Sequence, residues 1–338
     1  MKTATPAMAR AINDRLALDL LLERGPLTAP QLRTLTGLSR PTVSDLIERL
    51  REAGLIEITG EYGEDRRGPN ARLYGLVADR AHVAGVDVRR VAVHVTIADI
   101  TGQVVGSATR AIDGSLETLI EDVILEAAAG RELDTVIIGA PGLVDPRDGE
   151  VVSDNDVPGW RRGLMGAVGE RLGVPVVLEN EVNLAAIAEL RIGAARGSED
   201  FVLLWLDDGV GAAVVLDGRL RRGVSGGAGE IGFLEVDGAP YCDQVEPGVV
   251  RGLGRAELAG RIAKGAFAFV ALLDPGLIVV GGKTGHDGGD ELAALVSERL
   301  RERSPAPTEV RVSTVTGNAV LQGAVLTALD LTRGRVFG

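Results

Sequence analysis

Hydroxyl and guanidinium side chains cluster at the start of the segment Ser39–Leu50, and their chemistry suits DNA recognition. Ser39, Arg40, Thr42 and Ser44 all fall in its first turns. Such groups form hydrogen bonds with base edges and with phosphate oxygens. We therefore predict that these four residues contact DNA. The alternative is a polar helix face that only meets solvent.

The helix that must position these groups has recognisable ends and an apolar face. Ser39 is a suitable N-cap, and Pro41 lies in the first turn, where a missing N–H costs no hydrogen bond. Gly54 is placed to end the helix. The predicted apolar stripe consists of Val43, Leu46, Ile47 and Leu50.

Two helical patterns precede this segment. The first contains Ile12, Leu16, Leu20 and Leu21 at helical spacing and ends at the Gly–Pro pair 25–26. In the second, Thr28 caps a short helix over 29–36, with Leu32 and Leu35 expected to face inward. Gly37 then makes the turn into the third helix.

A β-hairpin follows the third helix. Segments 55–59 and 71–76 are rich in strand-forming residues, and the tip of the loop between them carries Arg66 and Arg67. This order of helices and hairpin predicts a winged helix-turn-helix DNA-binding domain over residues 1–77. Its arginines suit a contact with a minor groove or a phosphate backbone.

The pattern changes near residue 79 to two successive runs of similar order, each a three-stranded meander followed by α/β units. This rhythm predicts a two-lobed α/β domain over 78–338 with a cleft between its lobes, which span about 78–195 and about 196–338. The predicted strands are 82–88, 91–98, 103–110, 135–140, 174–178, 201–206, 210–216, one near 219, 277–280 and 309–313. The predicted helices are 116–129, 181–194, a helical region over 253–273, 291–301 and 319–331.

The charge of the chain is unevenly distributed. Residues 1–80 carry 12 Lys and Arg against 11 Asp and Glu, whereas residues 81–338 carry 24 against 37. The overall charge of −12 is therefore compatible with DNA binding by the first 80 residues. A single cysteine, the lack of a membrane-length apolar run and the lack of a secretory signal predict a cytoplasmic protein without a membrane partner.

Seven stretches carry a family resemblance: "LSRPTVSDLIERLREAGLI", "DRRGPNARLYGL", "VIIGAPGLVD", "VPVVLENEVNLAAIAE", "GGAGEIGF", "DPGLIVVGG" and "GNAVLQGAVLTAL". In this order they resemble the repressor branch of the ROK family (repressor, ORF, kinase). The resemblance implies a winged helix fused to an actin/hexokinase-like (RNase H-like) sugar-kinase domain. It also implies homodimers or tetramers built through that domain.

Two departures from the family pattern bear on catalysis. Sugar kinases of the family have Asp-x-Gly-Gly-Thr where this chain has Asp87-Val88-Arg89-Arg90-Val91, so the glycines that let backbone approach ATP are absent. The catalytic aspartate is replaced by Glu181, which retains a carboxylate able to act as a base but extends it by one methylene. We therefore expect no kinase activity and no catalytic residue.

Four residues match the sugar site that the resemblance implies: Gly142, Asn180, Glu181 and Glu230. Each also has a purely structural interpretation. Asn180 can cap a helix, and Glu181 can complement the positive end of the helix dipole. Glu230 can accept a hydroxyl or serve only the fold.

The zinc site that is usual in the family is incomplete in this chain. Phe233 replaces the family's histidine, and Cys242 is the one cysteine left of three. Tetrahedral zinc needs four such ligands, so we expect no metal and no cofactor.

These observations predict a sequence-specific transcriptional regulator that binds a double-stranded operator and represses carbohydrate-related genes. A sugar or related small ligand in the cleft is its expected effector. Two alternatives remain at this point. The two-lobed domain could be only a dimerisation scaffold, or the chain could be an active ROK sugar kinase with a DNA-binding head.

Overall fold

Three helices and a small sheet form the N-terminal part of the computed structural model, which describes residues 6–62, 71–152 and 155–338. The elements are α1 (Pro6–Arg24), β1 (Leu27–Thr28), α2 (Ala29–Thr36), α3 (Arg40–Glu52), β2 (Ile56–Tyr62) and β3 (Ala71–Leu76). Strand β3 lies between β1 and β2 and pairs antiparallel with both. The predicted winged helix-turn-helix is confirmed.

The start and the buried face of α3 follow from its sequence. The Ser39 hydroxyl accepts the backbone N–H of Thr42 at 3.4 Å, which makes Ser39 the N-cap. The predicted apolar stripe is buried in the core of the winged helix: Val43, Leu46, Ile47 and Leu50.

The two helices before α3 bury only part of their apolar residues. Ile12 and Leu16 are exposed, because α1 buries a neighbouring face through Ala17, Leu18 and Leu21. On α2, Leu32 is buried as predicted, whereas Leu35 is exposed. Helical spacing alone did not tell which face of a short helix meets the core.

A mixed sheet of five strands builds the first lobe. Its elements are β4 (His82–Val88), β5 (Ala92–Asp99), β6 (Val104–Ala111), α4 (Leu116–Ala128), β7 (Thr135–Ala140), α5 (Leu164–Leu172), β8 (Val176–Asn180) and α6 (Glu181–Ile192). The sheet order is β6-β5-β4-β7-β8, antiparallel in the meander and parallel from β4 to β8. Every residue of β4 and β7 is buried, as expected for strands covered on both faces.

The second lobe repeats this order of strands. Its elements are β9 (Phe201–Leu206), β10 (Val210–Leu216), β11 (Arg219–Arg221), β12 (Glu235–Val236), β13 (Ala239–Pro240), α7 (Cys242–Val245), α8 (Pro247–Val250), α9 (Arg255–Leu273), β14 (Leu277–Gly281), α10 (Gly282–Arg301), β15 (Glu309–Val312) and α11 (Ala319–Val336). Its main sheet has the order β11-β10-β9-β14-β15 with the same strand directions. The repeated rhythm in the sequence therefore reflects a repeated architecture.

The last helix packs on the first lobe, although its position in the sequence assigns it to the second lobe. Residues 319–336 fall within the predicted second lobe, about 196–338, yet α11 packs on β4 and β7 of the first sheet and beside α6. α6 and α11 contribute to a shared core that includes residues of both sheets, such as Ile137 and Leu203. Non-local packing decides this placement, because the apolar residues of α11 are buried only in the core that lies between the two sheets.

Several helices differ from the sequence prediction, and the short α7 and α8 were not predicted. α5 was not predicted, although it buries Leu164, Met165 and Val168. α10 begins at Gly282 rather than near residue 291, with a break at Gly289, where φ is +59°. Among the described residues, no helix combines the length and the apolar character needed to cross a bilayer.

Candidate functional site

A cleft of about 380 Å³ lies between the two lobes. The hairpin turn after β4 and the start of α6 line it from the first lobe, and the turn after β9 and the loop before Phe233 line it from the second. All four residues predicted to bind a sugar lie on its wall: Gly142, Asn180, Glu181 and Glu230.

Asn180 joins two parts of the cleft wall. Its Oδ1 accepts the backbone N–H groups of Val182 and Asn183, so it caps α6. Its Nδ2 donates to the carbonyl oxygen of Gly142 at 3.0 Å. Gly142 has φ of +98°, and a Cβ there would lie 3.1 Å from Asn155 Cβ, so the wall requires glycine at this position. The structural role expected for Asn180 is thus present, and its amide is already engaged with protein.

Arg89 lies between carboxylates at the inner end of the cleft. Its Nε donates to Asp87 Oδ2 at 2.7 Å, and its terminal nitrogen lies 3.9 Å from Asp207 Oδ2 in the other lobe. Burial alone would lower the pKa of Arg89, but the charge of Asp87 and the hydrogen bond to it outweigh burial and raise that pKa. Arg89 therefore remains charged and connects the two lobes.

Glu181 is the most perturbed acid of the cleft. Burial, augmented by the nearby charges of Asp87 and Glu230 and opposed by Arg89, raises its pKa to about 7. Within the described residues, its buried Oε2 has no hydrogen-bond partner. Burial also raises the pKa of Glu230. These two acids keep a proton to a higher pH than ordinary glutamates.

A second ion pair joins the lobes beside the cleft. The guanidinium of Arg222, which follows β11, donates to the buried Oε2 of Glu179 on β8 at 2.6 Å. Glu179 Oε1 in turn accepts from Asn183 Nδ2 at 2.8 Å. The pairs Arg89–Asp207 and Arg222–Glu179 thus both link the two lobes.

The exposed face of α3 forms a shallow groove with α2 and β3. Arg40 and Ser44 line this groove together with Arg33 and Tyr74. Ser39 and Thr42 share a hydrogen bond of 2.8 Å between their hydroxyls at the same end of α3. Arg49 lies elsewhere, where it forms an ion pair with Asp14 of α1 at 2.5 Å. The four residues of this segment predicted to contact DNA thus lie together at the N-terminal end of α3.

The winged helix packs against the end of the last helix. The guanidinium of Arg15 on α1 lies 5.6 Å from the ring centroid of Phe337, just beyond α11, and also donates to the carbonyl of Arg333 at 3.4 Å. Arg333 donates to the carbonyl of Ile100 at 2.9 Å. Phe337 and Ile100 are part of the winged-helix core. α11 is therefore in contact with both the winged helix and the first sheet.

Family profiles match both parts of the chain. The MarR family profile matches residues 12–68, and the ROK family profile matches residues 83–248. The chain carries a ROK family domain behind a MarR-type winged helix domain. Among solved structures, a ROK family transcriptional regulator described as a homologue of the E. coli MLC protein aligns with a TM-score of 0.75 at 19% identity, covering 97% of this chain and 99% of that one.

A second solved structure has the ROK fold and is an enzyme. The ROK glucokinase from Streptomyces griseus, in complex with glucose and AMPPNP, aligns with a TM-score of 0.62 at 23% identity and covers 74% of this chain. Its alignment includes 100% of the glucokinase chain. The ROK fold therefore does not by itself distinguish a regulator from a kinase.

Curated relatives of this chain include transcription factors. The xylose repressor of Bacillus subtilis is 26% identical over 253 residues, which cover 72% of this chain and 65% of the repressor. The dual regulator NagC of Escherichia coli is 26% identical over 243 residues, 68% of this chain and 59% of NagC. The chain thus spans less than two thirds of the length of these relatives.

Several residues of the ROK cleft were not predicted as site residues. They are Asn155, Trp205, Asp207, Asp208 and the exposed Phe233. Asp207 and Asp208 occupy the first hairpin turn of the second lobe, as Arg89 and Arg90 do in the first. The lobe repeat in the sequence was therefore the signal that could have located them.

The remaining predicted positions are the wing arginines and the positions of the family's zinc site. Arg66 and Arg67 lie outside the described residues, so their contact with DNA stays a prediction. Phe233 has no metal-binding atom, and Cys242 directs its thiol to Asp243 at 3.5 Å. In the described part of the chain, no group of three or more His, Cys, Asp or Glu residues is arranged to hold a metal ion. The residues present thus do not fit the family's zinc, and its absence from the protein stays a prediction.

Proposed function

We propose that this chain is a sequence-specific DNA-binding regulator, a cytoplasmic repressor of carbohydrate-related genes, and that a sugar or sugar-derived ligand in the cleft controls it. The observation that carries the proposal is the polar face of α3, presented by a winged helix that packs on a ROK domain. The similarity to a xylose repressor and to the dual regulator NagC supports the same function.

In this proposal residues 1–77 bind DNA and residues 78–338 bind the ligand. The start of α3 enters the major groove, where Arg40, Thr42 and Ser44 reach base edges, while Ser39 reaches a phosphate. One winged helix buries too little surface for strong specificity, so two copies read two half-sites of an operator. A homodimer or tetramer formed through the ROK domains would hold the copies at a fixed spacing.

The last helix is the physical link through which we propose that the ligand acts. At its N-terminal end, Asn318 Nδ2 donates to Asp87 Oδ2, beside Arg89 in the cleft. At its other end, Phe337 and Arg333 contact Arg15 of the winged helix. A ligand that prefers one arrangement of the lobes would shift α11 and thereby the winged helix.

Kinase activity is not part of the proposal. ATP-binding turns present backbone N–H groups and glycines to phosphates. Here one facing turn carries Arg89, held by Asp87, and the other carries Asp207 and Asp208. Incubation with Mg-ATP and a panel of hexoses should yield no sugar phosphate above the background without protein. Turnover that is lost in Glu181→Gln would instead establish the kinase alternative.

The DNA function is tested by selecting sites from a random duplex pool with the wild-type protein. Arg40→Ala should weaken binding to the selected site by roughly tenfold or more, because it removes a contact of about 1–3 kcal/mol. Arg51→Ala is the matched control, since it removes the same charge from the last turn of the same helix. Failure of the wild-type protein to enrich any sequence would exclude a sequence-specific regulator.

The scaffold alternative makes a different prediction for the same selected site. A ROK domain that serves only for dimerisation would leave DNA affinity unchanged by every sugar tested. A sugar-controlled repressor should lose affinity for the operator in at least one sugar, and the change should saturate with sugar concentration.

A further inference from the structure

Carboxylates outnumber basic groups on the wall of the cleft. Within the described residues, the acids that line it are Asp156, Glu181, Asp207, Asp208 and Glu230, whereas its basic residues are Arg89 and Arg90. Asp87 adds a further carboxylate directly behind Arg89. Any ligand must therefore be compatible with a surplus of negative charge at close range.

We propose that the cleft selects an unphosphorylated sugar and rejects its phosphate ester. The inference rests on the proposed function, namely that this cleft holds the effector, and it specifies the chemical class of that effector. The relatives do not show whether the effector is a free sugar or a phosphate ester, because similar ROK proteins need not bind the same ligand.

The two arginines are already engaged with carboxylates. Arg89 is hydrogen-bonded to Asp87 at 2.7 Å and lies 3.9 Å from Asp207. Arg90 forms an ion pair with Asp156 at 3.1 Å. A phosphate that approached either guanidinium would have to displace its carboxylate or lie beside it, and like charges at such distances repel.

Two backbone amides of the facing turns are already engaged within the protein. The N–H of Arg89 donates to the carbonyl of Ala92 at 2.9 Å, and the N–H of Asp207 donates to the carbonyl of Gly209 at 3.1 Å. Both amides are therefore used within their own hairpins. A phosphate-binding turn needs such amides free and directed at the anion.

Buried polar atoms on the wall match hydroxyl groups better than phosphate oxygens. Asn155 and Asn183 are each 5% exposed. In the described residues, Asn155 Nδ2, Asn183 Oδ1 and Glu181 Oε2 have no hydrogen-bond partner. A hydroxyl can both donate and accept, so the hydroxyls of a sugar that reached these residues would match their mixed set of donor and acceptor atoms. A phosphate dianion only accepts and cannot satisfy the oxygens.

An aromatic ring adds an apolar surface to the same site. Phe233 lines the cleft and is 84% exposed. Its flat ring suits the C–H face of a pyranose, and burying an exposed ring against a ligand is favourable. The cleft thus combines acceptors, a donor and an aromatic face, which together fit a neutral polyol.

Calorimetric titration of the full chain with matched pairs of ligands tests the inference. The pairs are glucose and glucose 6-phosphate, N-acetylglucosamine and its 6-phosphate, and xylose and xylose 5-phosphate. In every pair with a binding member, the free sugar should bind at least about tenfold more tightly. A phosphate ester that binds as tightly or more tightly would overturn the inference and leave a sugar-controlled regulator standing.

A charge variant shows whether the acids cause the discrimination. Asp207→Asn/Asp208→Asn should reduce the ratio of the affinity for the free sugar to the affinity for its phosphate ester at least about threefold, because it removes two negative charges from the wall. The matched control is Asp217→Asn/Asp274→Asn, which removes two carboxylates of the same lobe that do not line the cleft. An unchanged ratio in the first variant would refute the electrostatic cause. If no member of any pair binds, sugar control itself fails, and the inference fails with it.

Discussion

Asn318 donates a hydrogen bond from Nδ2 to Asp87 Oδ2 at 2.7 Å, across 231 residues of sequence. The same side chain caps α11, because its Oδ1 accepts the N–H of Leu321 at 2.9 Å. Asp87 is fully buried at the end of β4 and also binds Arg89. One amide thus fixes the start of the last helix to the strand that leads into the cleft.

Replacing this amide should be costly for stability. Asn318→Ala removes the cap, worth about 1 kcal/mol, and a hydrogen bond to a buried carboxylate, worth about 1–3 kcal/mol, so the free energy of unfolding should fall by about 2–4 kcal/mol. Asn318→Ser should recover only the capping part, since serine caps helices but is too short to reach Asp87. Urea denaturation measures the free energy of unfolding of both variants. If the two variants lose equal stability, the helix cap and the hydrogen bond to Asp87 do not contribute separately.

The pKa of Glu181 predicts a pH dependence of stability. Native Glu181 keeps its proton up to about pH 7, whereas an ordinary glutamate loses it near pH 4.5, so the native state holds the additional proton between these values. Its contribution to stability therefore falls as the pH rises from 4.5 to 7. The accumulated loss is about 3 kcal/mol.

The variant Glu181→Gln isolates this contribution, since glutamine does not titrate. The free energy of unfolding of both proteins is measured at about pH 5 and at about pH 8. The stability of the variant relative to wild type should be higher at about pH 8 than at about pH 5. Parallel pH profiles for the two proteins would show that Glu181 is not the titrating group.

Gly265 of α9 faces the buried ring of Tyr241, and a Cβ at this position would lie 2.3 Å from the ring. Tyr241 cannot move away freely, because it is fully buried and its hydroxyl donates to the carbonyl of Ile262 at 3.2 Å. Gly265→Ala should therefore destabilise the protein by about 1–3 kcal/mol. Gly260→Ala, in the same helix with open space around it, should stabilise by about 0.5–1 kcal/mol. Thermal denaturation of both variants should show midpoints that shift in opposite directions.

The wing arginines should contribute affinity without sequence preference. Arg66→Ala/Arg67→Ala removes two charges that we expect at a phosphate backbone or minor groove, so binding should weaken on most sequences. The slope of log K against log salt should flatten by about 1 for each lost phosphate contact. Arg299→Ala/Arg303→Ala removes the same charge from the second lobe and should leave the slope unchanged. A slope that is also unchanged in the wing variant would remove the wing from the DNA interface.

The contact between α1 and the end of α11 should transmit the ligand signal. Arg15→Ala removes the guanidinium above Phe337 and the hydrogen bond to Arg333. The change in operator affinity caused by an effective sugar should fall at least about threefold. Arg10→Ala on the same helix is the control and should respond like wild type. A full response in Arg15→Ala would mean that the signal takes another route.

Much of the fold was predictable because its signals are local. The cap at Ser39, the apolar stripe of α3 and the buried runs of β4, β7 and β14 lie within short segments, and the two similar successions of strands indicated two lobes. α5 was missed although Leu164, Met165 and Val168 stand at helical spacing, because glycines at 163, 166, 169 and 173 weaken the local helix signal. The lobe to which α11 belongs could not be read from its position, because only the space between the two sheets buries its faces.

The sequence by itself determined which groups the protein has: the polar start of α3, the arginines that replace the glycines after Asp87, and Glu181 in place of an aspartate. It also determined that Asn180 caps α6, because capping depends on neighbouring residues. Only the tertiary structure decided what those groups meet. Asp207 comes from the other lobe to face Arg89, burial gives Glu181 its high pKa, and Asn318 reaches Asp87 from the last helix. Charge, burial and hydrogen-bond partners across the cleft depend on distances in space, which no local pattern encodes.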